Sequence, residues 1–217
     1  MTDAAVLLHA AVPAPEARAA LGRSLGARSV ACGPVAAVLG PVRRESATRI
    51  ALRHARVVAG ALAGCSSVVP FRLGIELESD GDVRALLLEN QLELRGSLDA
   101  LAGSVEMGLK VRIPSSAGPA LIRLEEALER VRELAPAPAH RQERRRAVQD
   151  GHVLEACYLL PRGHVDAFWG AVDSLRSTTG MRVLGTGPWA PYSFCDLSLR
   201  PAPRAAPRDI PHDRRPS

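Results

Sequence analysis

VEMGLKVRI, residues 105–113, alternates with period two. Val105, Met107, Leu109, Val111 and Ile113 fall on one side, and Glu106, Lys110 and Arg112 on the other. Such alternation marks a strand with one face on a core and the other toward water, the usual situation in an antiparallel sheet. Working outward from it, Val83–Leu101 carries Val83, Leu87, Leu94, Leu98 and Leu101 at helical spacing, and Gly103 stops the pattern. Ser67–Leu77 is a β-type run interrupted by Pro70, which argues for an edge or a bulge. Ser46–Ala63 is a helix closed by Gly64, Val30–Val42 a pair of strands, Glu16–Leu25 a short helix and Val6–Val12 a strand.

Downstream, residues 114–119 close a first domain spanning 1–113. Ala120–Ala135 reads as an amphipathic helix and residues 136–151 as a loop or flexible linker. Val153–Leu160 is a strand, His164–Ser177 a helix, and Met181–Leu184 and Phe194–Leu199 are strands. A second domain therefore covers 120–199, followed by a Pro/Arg tail, 200–217, expected to be disordered. The element orders fit an α+β protein of two modified ferredoxin-like domains, antiparallel sheets with helices on one face.

Composition narrows the function. Of 217 residues, 47% are hydrophobic but only 3% aromatic, so the core is aliphatic. The net charge is +5; residues 200–217 hold five Arg and two Asp, a net of +3, leaving about +2 for the rest. A second basic cluster, Arg141, Arg144, Arg145 and Arg146, falls in the expected linker. Nucleic-acid binding wants clustered cations on a folded face with interleaved aromatics. Neither cluster reads that way, and solvated charge is expected instead. Cys32, Cys65, Cys157 and Cys195 form no CxxC and have no neighbouring His, so no zinc site is expected, and Cys157 and Cys195, in apolar runs, read as small buried hydrophobes. An acidic, weakly apolar N-terminus and the lack of any 18-residue apolar run lead to an expectation of a cytoplasmic protein without membrane contact.

Chemistry-bearing patterns are sparse. There is no GxxxxGK[ST] and no strand-linked GxGxxG, so no cofactor is expected. His54 lies in a helix without a His or Glu at i+4, so no metal site is expected there. Glu76 and Glu78 share a strand face, and exposed alternation explains them as well as acid/base work does. Arg72, flanked by apolar residues, is either a partly buried guanidinium with a carboxylate partner or an edge-strand arginine reaching water. No catalytic residue is assigned. The rival readings are a small-ligand enzyme using Arg72 and Glu76, and a nucleic-acid binder using the arginine clusters.

The densest motif is GTGPWAPYSF, residues 185–194, which holds three of the seven aromatic residues. Pro188 and Pro191 donate no N–H, so the stretch is expected to be a rigid bend presenting Trp189, Tyr192 and Phe194. This motif, HARVVAGALAGCSSVVPFRLG at 54–74 and SVEMGLKV at 104–111 together resemble the gas-vesicle accessory proteins of the GvpL/GvpF family. The first strand, VLLHAAV, lacks the tyrosine usual in that family. The resemblance implies a non-enzymatic part in assembling gas vesicles, as a minor component contacting the small, very hydrophobic major shell protein and other accessory proteins. It also implies two modified ferredoxin-like domains. The residues it brings forward are Pro70, Phe71, Arg72 and Gly74, then Gly187, Pro188, Trp189, Pro191, Tyr192 and Phe194. Their expected role is to lock the C-terminal domain or to offer an apolar docking surface.

Overall fold

A computed structural model of the chain describes residues 5–21, 26–135, 137–195 and 197–200. Its first sheet contains β1 (Val6–Pro13), β2 (Arg28–Cys32), β3 (Val35–Pro41) and β4 (Val69–Pro70), in the order β2-β3-β1-β4. A short β5 (Glu76–Leu77) also pairs with β1. Helices α1 (Ala17–Leu21) and α2 (Ala47–Gly64) make the crossovers, and α3 (Asp80–Glu89) and α4 (Gln91–Ala100) follow. The second sheet contains β6 (Ser104–Pro114), β7 (Arg141–Val148), β8 (Gly151–Pro161) and β9 (Arg182–Trp189), in the order β7-β8-β6-β9. Its crossovers are α5 (Ala120–Arg132) and α6 (Val165–Thr179). Each sheet is therefore a β-α-β-β-α-β unit with its first and third strands central and its second and fourth at the edges, all pairs antiparallel.

Four sequence expectations change. The expected domain boundary after Ile113 falls at the wrong end of a strand: β6 is the first strand of the second sheet, not the last of the first domain. Residues 136–151 are not a linker, because β7 occupies 141–148 and pairs with β8 through a tight turn. The two loop residues are Gln149 and Asp150, between the paired Val148 and Gly151; Asp150 takes the left-handed region at φ 62°, and Gly151 opens β8 at φ 139°. Asn90 splits the expected helix 83–101 in two, its side chain donating to the Leu86 carbonyl at 2.7 Å. Phe194–Leu199 is not a strand: Tyr192–Phe194 is a single 3₁₀ turn. The tail beyond Arg200 lies outside the described residues.

Local chemistry explains the helix ends. Ser79 caps α3, accepting from the Asp82 N–H at 3.1 Å, and Asp80 and Asp82 place negative charge in the first turn. Gly180, in the left-handed region at φ 65°, ends α6. Arg132 of α5 grips Glu143 of β7 with two hydrogen bonds of 2.8 and 2.6 Å, and Tyr158 donates to the same carboxylate at 2.8 Å. That grip pins a charged edge strand which has no apolar period of its own.

Burial differs between the two sheets. In the second, Val105, Met107, Leu109, Val111 and Ile113 bury against α5 and α6, as the alternation requires. In the first, helices lie on both faces rather than one. Ala10, Val12, Ala36 and Val38 cluster with α1 and α2, whereas Leu8, Ala11, Ala37 and Leu39 cluster with α3 and α4. Runs such as VLLHAAV, apolar on both sides, are what a doubly covered strand requires. Phe168 is fully buried in α6, its ring centroid 6.4 Å from Tyr158 and 5.6 Å from Trp169. Phe168→Ala is expected to lower unfolding free energy by about 3–5 kcal/mol, read from urea denaturation.

Candidate functional site

The 185–194 motif begins as the edge strand β9 and leaves the sheet after Trp189. Gly187 has φ 118° and precedes a cis peptide bond to Pro188. A Cβ there would lie 2.8 Å from both the Glu106 carbonyl oxygen and the Met107 sulfur, so only glycine fits. Glu106 projects from β6 onto the face turned away from α5 and α6 and is buried. Its carboxylate accepts the Ser193 backbone N–H and the Ser193 hydroxyl, each at 2.8 Å. Gln142 of β7 donates to the Ser193 carbonyl. The 3₁₀ turn is thus hooked to three strands of the second sheet: β6, β7 and, covalently, β9.

Beyond the hook the chain crosses to the first unit. Phe194, Cys195, Leu197 and Leu199 pack on the cluster that holds Phe71, Leu87, Leu94 and Leu159. The Ser198 N–H donates to Glu93 of α4 at 3.2 Å. At the α3–α4 break, the Arg200 N–H donates to Asn90 Oδ1 at 2.8 Å, and Asn90 Nδ2 donates to the Arg200 carbonyl at 3.0 Å. A small cavity of about 130 Å³ separates Pro70, Phe71 and Ile75 from Cys195, Leu197 and Leu199. The two sequence motifs therefore meet at one seam.

Their residues divide by exposure. Phe71, Pro70 and Pro191 are buried, and Phe194 is half-buried. Trp189 is 53% exposed and Tyr192 44%, with Pro188 exposed beside them. Arg72 and Gly74 lie on an exposed turn, where Gly74 has φ 97°. Arg72 makes no ion pair among the described residues and is exposed, which favours the second of its two readings, an arginine reaching water; the chain has left the sheet after Pro70. Glu76 is likewise exposed.

Tyr192 reaches α2, its ring 6.3 Å from His54. His54 in turn meets His9, Nδ1 to Nδ1 at 3.0 Å. A register shift between Leu8 and Ala10 makes His9 the extra residue of β1. Both rings are buried. Burial, the neighbouring His54 and Arg53 hold His9 down at about 4, and burial also lowers His54 against an opposing hydrogen bond from the Phe71 backbone. Sequence reasoning missed Glu106, Ser193, Asn90 and this pair. Glu106 carried the pattern of a solvent-facing residue, and its partner lies 87 positions away.

Burial pushes the Cys65 thiol up to about 11 and Cys195 to about 12, and raises Cys157, so these thiols stay protonated near neutrality. Among the described residues no cluster of three His, Cys, Asp or Glu is placed to hold a metal, and no helix is long and apolar enough to cross a membrane.

The arrangement defines a two-unit α+β protein whose C-terminal segment clasps the units together and displays aromatic side chains. The sequence model described as gas vesicle synthesis protein GvpL/GvpF matches residues 8–146 and 121–196, and the chain belongs to the GvpL/GvpF family. It is 27% identical over 139 residues to gas vesicle protein F of Haloferax mediterranei, covering 63% of each chain. It is 28% identical over 186 residues to gas vesicle protein L of a Streptomyces species, covering 68% of this chain and 70% of that one. The match thus spans under two thirds of the length of the Haloferax protein. The crystal structure of gas vesicle protein GvpF from Anabaena superposes with a TM-score of 0.73 at 19% identity, over 90% of this chain and 98% of that one. That from Microcystis aeruginosa gives 0.72 at 16%, over 89% and 99%. These likenesses establish the fold, two antiparallel sheets with helices of ferredoxin-like type, and the family places the chain in a gas-vesicle-related role.

Glu106→Ala is expected to cost about 1–3 kcal/mol, because it leaves both Ser193 donors unpaired in a partly buried place. Hydrogen exchange should quicken at Ser193 and Arg200 before it does in β6. The histidines give a pH signature. The folded value for His9, about 4, lies below the ordinary 6.5, so the unfolded chain takes the proton first. Stability is full above about pH 6.5 and falls progressively toward pH 4. Thermal unfolding across that range should show the loss, with a shallower slope in His9→Asn.

Proposed function

We propose that the protein is a non-enzymatic assembly factor or minor structural component of gas vesicles, acting in the cytoplasm and at the vesicle by contact with the small, apolar major shell protein and with other accessory proteins. The observation that carries this reading is the division of the C-terminal motif. Ser193, Pro191 and Phe194 are held by the hook and the seam, while Trp189, Tyr192 and Pro188 stand exposed on the frame so fixed. Large aromatic side chains with few rotatable bonds, fixed on a rigid support, are the residues that anchor protein contacts. An apolar shell protein offers a matching surface. Family membership and the names of the relatives support the gas-vesicle part of the reading, and the protonated thiols and the exposed Arg72, without an ion pair among the described residues, weigh against the enzyme alternative.

Trp189→Ala tests it. Because half of the ring is already in water, the variant should fold with stability within about 1 kcal/mol of the parent, checked by urea denaturation. Loss of an anchor worth about 2 kcal/mol corresponds to roughly 30-fold weaker binding. Co-expression with the shell protein followed by affinity capture should recover correspondingly little of it. Undiminished recovery by the folded variant removes the corner from the contact.

A further inference from the structure

The second sheet has one face covered by α5 and α6 and the other covered only at one end. There Leu159 and Glu106 lie beneath the C-terminal segment and α4. Past them, three cross-strand rows remain open. The first is Gln142, Cys157, Gly108 and Thr186; the second is Arg144, Glu155, Lys110 and Leu184; the third is Arg146, Val153, Arg112 and Arg182. Directly opposed residues of antiparallel strands share a face, so these rows form one surface. It bears five cations and one carboxylate, a net of +4. Glu155 is already engaged by Lys110 at 2.8 Å and by Arg146 at 3.6 Å. Arg112, Arg144 and Arg182 have no carboxylate within ion-pair distance among the described residues. Leu184 is 57% exposed at the centre of the β9 edge.

We propose that this open face docks an acidic amphipathic helix of a partner protein, its apolar stripe on Leu184 and Cys157 and its flanking carboxylates on Arg112, Arg144 and Arg182. The surface does not depend on the corner at Trp189. Four strands span about 14 Å, three spacings of about 4.8 Å, enough to seat one helix about 10 Å across. Two shallow hollows, about 540 and 630 Å³, lie either side of a ridge formed by Lys110 and Leu184 and give side chains of such a helix somewhere to enter. The first sheet shows the completed arrangement, with helices on both of its faces. Charge selects the occupant. Residues 201–217 carry four Arg against two Asp, the same sign as the face. Nucleic acid is disfavoured because the three rows hold no aromatic side chain for base stacking and Glu155 sits in their middle.

The test uses the full chain and three labelled probes in fluorescence anisotropy. One is a helical peptide of about 18 residues with a leucine stripe flanked by Glu, the second is the same peptide with Lys in place of Glu, and the third is a single-stranded DNA of similar length. The acidic peptide should bind, and bind about tenfold more weakly when salt rises from about 50 to about 300 mM. The combined R112E, R144E and R182E variant should weaken it about 100-fold, and Leu184→Asp about tenfold, with both variants folded by circular dichroism. Failure of the acidic peptide to bind, equal binding of the Lys peptide, or affinity within about twofold in the charge-reversed variant overturns the proposal. Tighter binding of the DNA than of the acidic peptide, lost in the same variant, overturns it in favour of a nucleic-acid surface.

Discussion

A buried carboxylate, that of Glu106, fixes the course of the C-terminal segment. It stands on β6, a central strand paired on both sides, so its position is set by two ladders rather than by a loop. A carboxylate is costly to bury unless its oxygens receive donors, and Ser193 supplies two. The bond is therefore mutual: the turn covers the charge, and the charge holds the turn. Once Ser193 is hooked, Phe194 and Leu197 fall onto the Phe71 cluster, and Arg200 reaches Asn90. The strand end and the short strap thus add a second tie to two units that already share one buried core.

The two units share a topology yet solve burial differently. β1 and β3 are crowded with alanine and valine on both sides, and small side chains let helices approach from above and below. β6 and β8 alternate, so only one side can bury against α5 and α6. The extra helices α3 and α4 belong to the first unit in sequence but also cap one end of the second sheet's far face, through Leu159. What is left of that face takes its character from arginine and lysine.

Much of this was legible in the sequence. The period-two run at 105–113, the helical stripes at 46–63, 120–135 and 164–177, and the proline-braced corner all mark real features. The prolines marked a bend over 185–194, but the strand expected to end at Leu184 runs on to Trp189, and the turn comes only at Tyr192–Phe194. What was hidden was hidden for physical reasons. β7 reads RQERRRAV, with no apolar period, because one of its faces is salt-bridged to α5 by Glu143 and Arg145 and the other is open. Two ferredoxin-like domains were expected, but missing that strand left the second one strand short and moved the boundary past β6. The Glu106–Ser193 hook and the His9–His54 pair join residues 87 and 45 positions apart, and no local pattern encodes such a meeting. The apolar neighbours of Arg72 left open whether it was partly buried or reached water, and it lies exposed on the turn that Gly74 makes at φ 97°.

The second unit consequently presents two unlike surfaces side by side. Trp189 pairs with Glu106 in register, and the next row toward the open face begins at Gly108 and Thr186. An aromatic corner thus borders a cationic plane on the same sheet. Contacts made by Trp189 and Tyr192 draw on removal of apolar area from water, which salt scarcely weakens and kosmotropic salts strengthen. Contacts made by Arg112, Arg144 and Arg182 draw on charge and fade with screening over about 8–10 Å. A partner held by both would keep its grip at high salt but lose its orientation, since apolar burial is non-directional and charge pairing sets register. Affinity and orientation would then come from neighbouring rows of one sheet.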